Sequence, residues 1–434
     1  MLQRPPGEQN PSFMQISGHT AKSGAALIPD ADDRDLKNGC RSAFPAVQLA
    51  RAPGAWSDPA LAGATVTVFP SVDAAESVWR ETAATGACTV FQCFEWLATW
   101  RRTAGTSEPL SDQIVHVSSE AGQTLMLLPL AIRRNAYGRS LEFLGGDLTD
   151  YNMPILGAGF SPGPRDAERL WAAILDVLPP VDFVRLRRMP LVFDGIANPF
   201  AGLAGSRHVI DAYGANLPPT FKDFTTRSPS FFNKNSQRRR RLAKEGAVRF
   251  AVAQDPAERV ALTRFVIEQK SQWQRDTGQM DTFAAPERLA FYTTLAGLPF
   301  EEGGVVPVGL WVGSELVAGI WGTVFRGRFA VIVAAYHQDW AKFSVARLLM
   351  ESAVEMCIAR DDVAIFDLTV GDEGYKTDWS DHSLPLHEVI APHSLRGRMF
   401  MAYWHLRGRA KTVPWLRDAV RSGMRLAQRV SKRD

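Results

Sequence analysis

The chain is poor in cysteine, with four among 434 residues: Cys40, Cys88, Cys93 and Cys357. None stands at Cys-x-x-Cys spacing. No cluster of His, Cys and Asp has ligand spacing either, so the sequence implies no metal. The thiols read as reduced and partly buried, as in a reducing compartment, in preference to a disulfide framework. Long hydrophobic runs are also missing. No stretch approaches the roughly 18 apolar residues of a membrane-spanning helix. The segment Met1–Gly18 is polar, carries Pro5, Pro6 and Pro11, and has no apolar core of a secretory signal. The expectation is a cytoplasmic protein, at most peripheral at the inner membrane. A strong charge of one sign is lacking too: the net charge is +3, which by itself calls for no nucleic-acid partner.

What is present is the material of a globular core, 46% hydrophobic and 22% charged residues. A length of 434 residues fits two or three domains. Residues 1–55, rich in Gly, Pro, Ala and Asp, show no sustained period and predict a poorly ordered extension. Val66–Phe69 reads as a strand, Asp73–Ala84 as a helix, and Phe91–Trp100 as an aromatic helix whose rings serve core packing. Ile114–Val117, Thr124–Ile132 and Leu141–Phe143 are β-type runs parted by turn residues. Asp166–Leu178 is an amphipathic helix stopped by Pro179 and Pro180, and Phe183–Leu186 is a further strand. A boundary falls at Leu217-Pro218-Pro219, giving an N-terminal half over 56–216 and a C-terminal half over 217–394.

The second half opens with a basic helix within Ser228–Gly246, where Gly246 reads as the C-cap. A strand Val248–Val252 and a helix Pro256–Trp273 follow. Val308–Val312 and Leu316–Val324 flank the hairpin signal Gly313-Ser314-Glu315, and Arg326-Gly327-Arg328 turns the chain into Phe329–Ala335. Ser344–Arg360 is a helix with an apolar face, followed by strands Ala364–Leu368 and Leu384–Ile390. The fold class is α+β, α/β-like in its alternation.

Several strings carry a family resemblance: Phe91–Leu97, Phe143–Asp147 with Thr149–Asn152, Asn235–Lys244, Tyr336-His337 with Ser344–Leu349, and Phe366-Asp367 with Gly371–Lys376. In this order they resemble the GNAT superfamily, and more narrowly the CelD-like acetyltransferases with two GNAT-type halves. The tandem layout is also similar to that of Fem-type aminoacyltransferases. The resemblance covers about residues 65–392. It implies two halves, each a mixed, mostly antiparallel sheet flanked by helices, and acyl transfer from acetyl-CoA or another acyl-CoA to an amine or hydroxyl.

In such a fold the pyrophosphate meets unpaired amides at a helix start, where the helix dipole favours an anion. The matching loop is Lys342-Phe343-Ser344-Val345-Ala346-Arg347, with Ser344 as an N-cap and Lys342 and Arg347 as charged contacts. It lacks the family's small residues at Val345 and Arg347. After the strand Ala364–Leu368, Asp372, Glu373 and Tyr375 are candidates for proton transfer, Asp372 and Tyr375 ahead of Glu373. Lys376, His337, Asp147, Asp150, Tyr151 and Asn152 are candidate acceptor contacts, since in tandem relatives the acceptor cleft lies between the halves.

Two basic segments stand out. Arg238–Arg241 reads as a solvated helix face or a patch toward an acidic acceptor. Residues 395–434 hold eleven Lys/Arg against Asp418 and Asp434, interleaved with aromatic and apolar residues, which suits a docked helix or contact with an anionic membrane. The primary expectation is acyl transfer to a polar metabolite or glycan precursor of the cell envelope. Aminoacyl transfer from charged tRNA and non-catalytic binding at a membrane surface are the alternatives.

Overall fold

The computed structural model describes residues 47–48, 56–135 and 138–402. The N-terminal extension, apart from Val47–Gln48, lies outside them, as do Cys40 and most of the basic tail. The chain builds the same series of elements twice. The first set is β1 (Thr65–Phe69), α1 (Glu76–Thr85), α2 (Phe94–Arg102), β2 (Leu110–Ser118), β3 (Thr124–Asn135), β4 (Gly138–Phe143), α3 (Pro164–Val177) and β5 (Phe183–Pro190). A long strand, β6 (Arg207–Asn216), and the basic helix α4 (Pro229–Leu242) then lead into the second set. That set is β7 (Val248–Val252), α5 (Pro256–Asp276), α6 (Pro286–Gly297), β8 (Val308–Val312), β9 (Glu315–Phe325), β10 (Gly327–Tyr336), α7 (Val345–Ile358) and β11 (Val363–Val370). The chain closes the sheet with β12 (His382–Pro392).

The strands form one continuous sheet in the order β1-β2-β3-β4-β5-β12-β6-β11-β10-β9-β8-β7. The middle of this order is crossed over. β6 precedes the second set in sequence, yet it pairs antiparallel with β11 of that set. β12 follows the second set but pairs with β5 of the first. β6 and β12 also pair with each other. Each half therefore ends on a strand of the other, and the boundary expected at 217 falls just after a strand that lies inside the C-terminal sheet.

Local sequence explains the elements. Pro stands in the first turn of α3, α4, α5 and α6, where its missing N–H costs no helical bond. Asp255 caps α5 by accepting from the Glu258 amide. Arg326 and Gly327 both have positive φ, 47° and 76°, as a two-residue hairpin turn requires. The aromatic helix begins at Phe94 rather than Phe91, because Thr89 and Gln92 close a capping box around the preceding turn, Val90–Gln92. The basic helix ends at Leu242, with Ala243 and not Gly246 at its C-cap.

Two hydrophobic layers flank the second half's part of the sheet. One packs α7 and α4 on it through Leu348, Leu349, Val354, Phe231 and Phe232. The other joins the halves: Trp96 of α2 lies edge-on to Phe291 at 5.3 Å and to Trp321 at 5.9 Å. Trp96, Trp100 and Phe91 are buried, as their core role requires. Cys88, Cys93 and Cys357 are free and buried. Burial pushes the Cys88 thiol up to about 11 and raises the other two as well, so none is poised as a nucleophile.

Candidate active site

Each half contains one parallel strand pair, and in each the pair parts after a few residues. In the first half β4 and β5 are in register only from Ser140–Phe183 to Glu142–Arg185. The chain fills the gap beyond with its own loop. Asn152 donates its backbone N–H to the Arg188 carbonyl at 2.9 Å and its side-chain amide to the Arg187 carbonyl at 3.0 Å. In the second half β10 and β11 are in register from Gly327–Val363 to Ala330–Asp367. A bulge in β10 at the next step, between Val331 and Val333, turns the strand aside. Past Ala330, one hydrogen bond recorded among the described residues spans the gap, from the Thr369 hydroxyl to the Val331 carbonyl at 3.1 Å.

A buried polar cluster is built around this parting. Asp367 accepts from the Thr369 amide at 2.7 Å, from the Tyr151 hydroxyl at 2.8 Å and from Arg328 at 3.0 Å. Tyr151 belongs to the first half, so this bond ties the halves together at the site. Thr369 sits at φ 55°, an uncommon conformation for a β-branched residue. Its amide is held by Asp367 and its carbonyl by Lys376, whose Nζ donates to Thr369 at 3.2 Å and to Val370 at 2.8 Å. Lys376 is fully buried and forms an ion pair with Glu373 at 3.1 Å. Burial pulls its amine below the ordinary lysine range, against the pull of Glu373. Asp150 is also buried and pairs with Arg188 at 3.1 Å. Burial raises the Asp150 carboxyl, while Arg188 and Lys376 oppose the shift. Burial and Glu373 lift the Tyr375 hydroxyl well above its usual range.

The structure therefore brings together Asp150, Tyr151, Glu373, Tyr375 and Lys376 of the residues expected from sequence. Others lie elsewhere. Asp372 is exposed, and the buried carboxylate of its loop is Glu373. Asp147 is bound by Arg288 of α6, which holds its carboxyl below the usual range against burial. Asn152 is spent on β5. His337 is partly exposed beyond the end of β10, 3.8 Å from Asp339.

The loop before α7 also departs from expectation. Ser344 is left-handed, φ 58° and ψ 41°, and its side chain makes no cap hydrogen bond. Phe343 and Val345 are buried in the core. Arg347 does not point at the helix start. Its guanidinium lies 3.1 Å over the Phe231 ring, and it donates to the Asn235 side chain at 2.6 Å and the Phe231 carbonyl at 2.7 Å. Burial and Arg238 lower it to about 10. What remains at the helix start is backbone, the leading amides of Val345 and Ala346, with exposed Lys342 and Arg241 both near the Phe343 ring.

Residues 230–377 match the acetyltransferase (GNAT) domain. The match lies within the C-terminal half. No curated protein matches the chain. Among solved structures, FemX is 8% identical with a TM-score of 0.51, covering 75% of this chain and 97% of its own. That likeness concerns the fold. A conserved protein of unknown function from Bacteroides thetaiotaomicron is 11% identical, with a TM-score of 0.46 and coverage of 74% and 98%. The C-terminal domain of a putative lysylphosphatidylglycerol synthetase from Agrobacterium fabrum is 11% identical, with a TM-score of 0.45 and coverage of 76% and 95%. No helix among the described residues is long and apolar enough to cross a membrane, and none of their side chains form a metal-binding group.

Lys270, Asp367, Thr369, Arg188 and Arg328 were not among the candidate site residues from sequence. Lys270 had a signal: it falls in step with Val266 and Gln274 along the buried stripe of α5. The others meet through the pairing of β10 with β11 and the packing of the first half's Asp150–Tyr151 loop beside it, which no local pattern encodes.

Proposed function

We propose that the chain transfers an acyl group, acetyl in the simplest case, from an acyl-CoA to an amine or hydroxyl of a polar small molecule or an envelope glycan precursor. One observation carries this reading. The second half keeps a parted strand pair ending at a helix start, whereas the first half fills the same gap with Asn152. The donor would be held by the amides of Val345 and Ala346 and by Lys342 and Arg241. The missing glycines do not obstruct this, because Val345 turns its side chain into the core and Arg347 turns toward α4. The acyl-CoA supplies an activated thioester when bound.

The chain's own residues handle position and protons. Glu373 takes the proton of the attacking acceptor. Tyr375 gives its proton to the departing thiolate and recovers one from Glu373. Lys376 holds the left-handed turn at Thr369, and Asp150 and Tyr151 bring the first half to the acceptor side. The narrower CelD-like resemblance supports a glycan-type acceptor. The test is thermal unfolding with and without millimolar acetyl-CoA, beside ADP. A rise specific to acetyl-CoA is the expected outcome; no rise with any acyl-CoA rejects the reading.

Aminoacyl transfer from charged tRNA is a second reading, favoured by the exposed Arg240 and Arg241 on α4. Arg239 beside them is paired with Glu351 at 3.1 Å. Salt-sensitive tRNA binding with no response to acyl-CoA would establish this reading in place of the first.

A further inference from the structure

Between β5 and β6 the chain makes a short hairpin of two strands, Val192–Phe193 and Ile196–Ala197, which pair with each other and stand apart from the main sheet. Asp194 and Gly195 form its turn, at φ 47° and 79°. Leu191, Val192 and Ile196 face solvent, whereas Phe193 is buried. The Phe193 ring lies 5.3 Å from that of Tyr151 and 4.7 Å from the Arg328 guanidinium. At the tip, Asp194 forms an ion pair with Arg328.

The tip closes a small cleft between the halves. Phe91 and Tyr151 wall it from the first half, and Thr323, Arg328 and Ala330 from the second. With Asp194 in place the room left is about 20 Å³, enough for a water molecule. Ala330 is the last residue of β10 in register with β11, so the cleft lies at the root of the strand parting. Its wall is not satisfied from within. Thr323 is fully buried, and its hydroxyl has no hydrogen-bond partner among the described residues. The Nε of Arg328 is buried and also without one. Such groups are costly to leave unpaired.

Arg328 faces two carboxylates that differ in kind. Asp367 is buried and is fixed by Thr369 and Tyr151 as well. Asp194 rides on an exposed turn, its side chain 40% exposed, and an ion pair of that sort holds weakly. With Asp194 displaced, the charges of Arg328 and Asp367 sum to zero. A monoanion then restores the present balance, whereas a dianionic phosphate would place a further negative charge beside Asp367.

We propose that Asp194 stands in for a carboxylate of the acceptor. On this inference, which rests on the acyl-transfer reading, the acceptor is an amine that also carries a carboxylate. That carboxylate takes the place of Asp194 on Arg328, whose planar fork suits it. The hairpin lifts to admit it, and the amine is left toward the parted strands. A tethered carboxylate competes at roughly millimolar effective concentration, so the hairpin admits an acceptor only where it binds Arg328 better than Asp194 does.

The test uses the full chain with glycine, β-alanine, 4-aminobutyrate and 6-aminohexanoate, each beside its carboxamide. Their graded lengths sample the reach from Arg328 to the parting. Thiol release from acetyl-CoA gives kcat/KM, and calorimetric titration without donor gives affinity. The best carboxylate should exceed its carboxamide by about tenfold or more in both. Asp194→Asn, which tolerates the left-handed turn, should improve the carboxylates about threefold or more and leave the carboxamides unchanged. Arg328→Lys keeps a cation on Asp367 but loses the fork, and should bring each pair within about threefold. A purely structural ion pair would instead lower both members of every pair alike in both variants, and that result overturns the proposal. So does a wild type that does not distinguish the pairs while it turns over acetyl-CoA, which leaves acyl transfer standing. Carboxylate binding that responds to both variants, with no thiol release from any amine, rejects acyl transfer and the acceptor role with it.

Discussion

Replacing Lys270 by Met should make the protein more stable, and most so at low pH. Lys270 falls from 10.5 in the unfolded chain to about 7 in the fold. Between those values the unfolded chain holds a proton that the folded one has released, so wild-type stability rises with pH across that window. Below it both states are protonated, and the fold carries the whole penalty of a buried ammonium. At about 1.36 kcal/mol per unit that penalty is roughly 5 kcal/mol, and it fades to nothing above about pH 10.5. Met matches the length of the lysine stem and needs no partner, so the variant should recover several kcal/mol at pH 6.5 and almost none at pH 10.5. Urea unfolding of both proteins at the two pH values measures this directly, since every other titrating group is common to both. A variant less stable than wild type at pH 6.5, or a difference that does not shrink with pH, would refute the reasoning.

Three further perturbations probe the rest of the site. Tyr151→Phe removes one of the donors to Asp367 and should cost about 1–3 kcal/mol, read as a lower unfolding midpoint together with slower acyl transfer. Asn152→Ala leaves the Arg187 carbonyl without its side-chain donor, again at about 1–3 kcal/mol, and should not create a second donor site. Ser344→Gly relieves a left-handed residue that makes no cap bond, and should raise stability by up to about 1 kcal/mol with donor affinity unchanged.

Much of the fold was legible because it follows local rules. The three-strand meander of the second half, the turn at Arg326-Gly327 and the amphipathic α7 all announce themselves through period and turn chemistry. β6 and α6 were not read from sequence. β6 is part exposed and carries Arg207, His208, Asp211 and Asn216, so its alternation is blurred. In α6 the buried face is Phe291, Tyr292, Leu295 and Ala296, rings and small residues that show no strong helical period.

The candidate site was half legible. The loop Gly371–Lys376 and the stretch Asp150–Tyr151 were found as strings, and the structure joins them. What sequence could not show is which carboxylate is buried. Asp372 and Glu373 are neighbours of like chemistry, and the turn after β11 sends one to solvent and the other to Lys376. Nor could spacing show that Arg347 would bend onto Phe231. That contact depends on α4 lying against the start of α7, two elements more than a hundred residues apart.

The central claim is that the parted strands of the second half hold an acyl-CoA, and that the first half holds none. Calorimetric titration of the full chain with acetyl-CoA tests it most directly. One donor per chain is predicted, weakened at least tenfold when Lys342 and Arg241 are both changed to Glu, a loss of about 1.4 kcal/mol or more. No binding at millimolar donor, two donors per chain, or affinity indifferent to those charges would contradict the account.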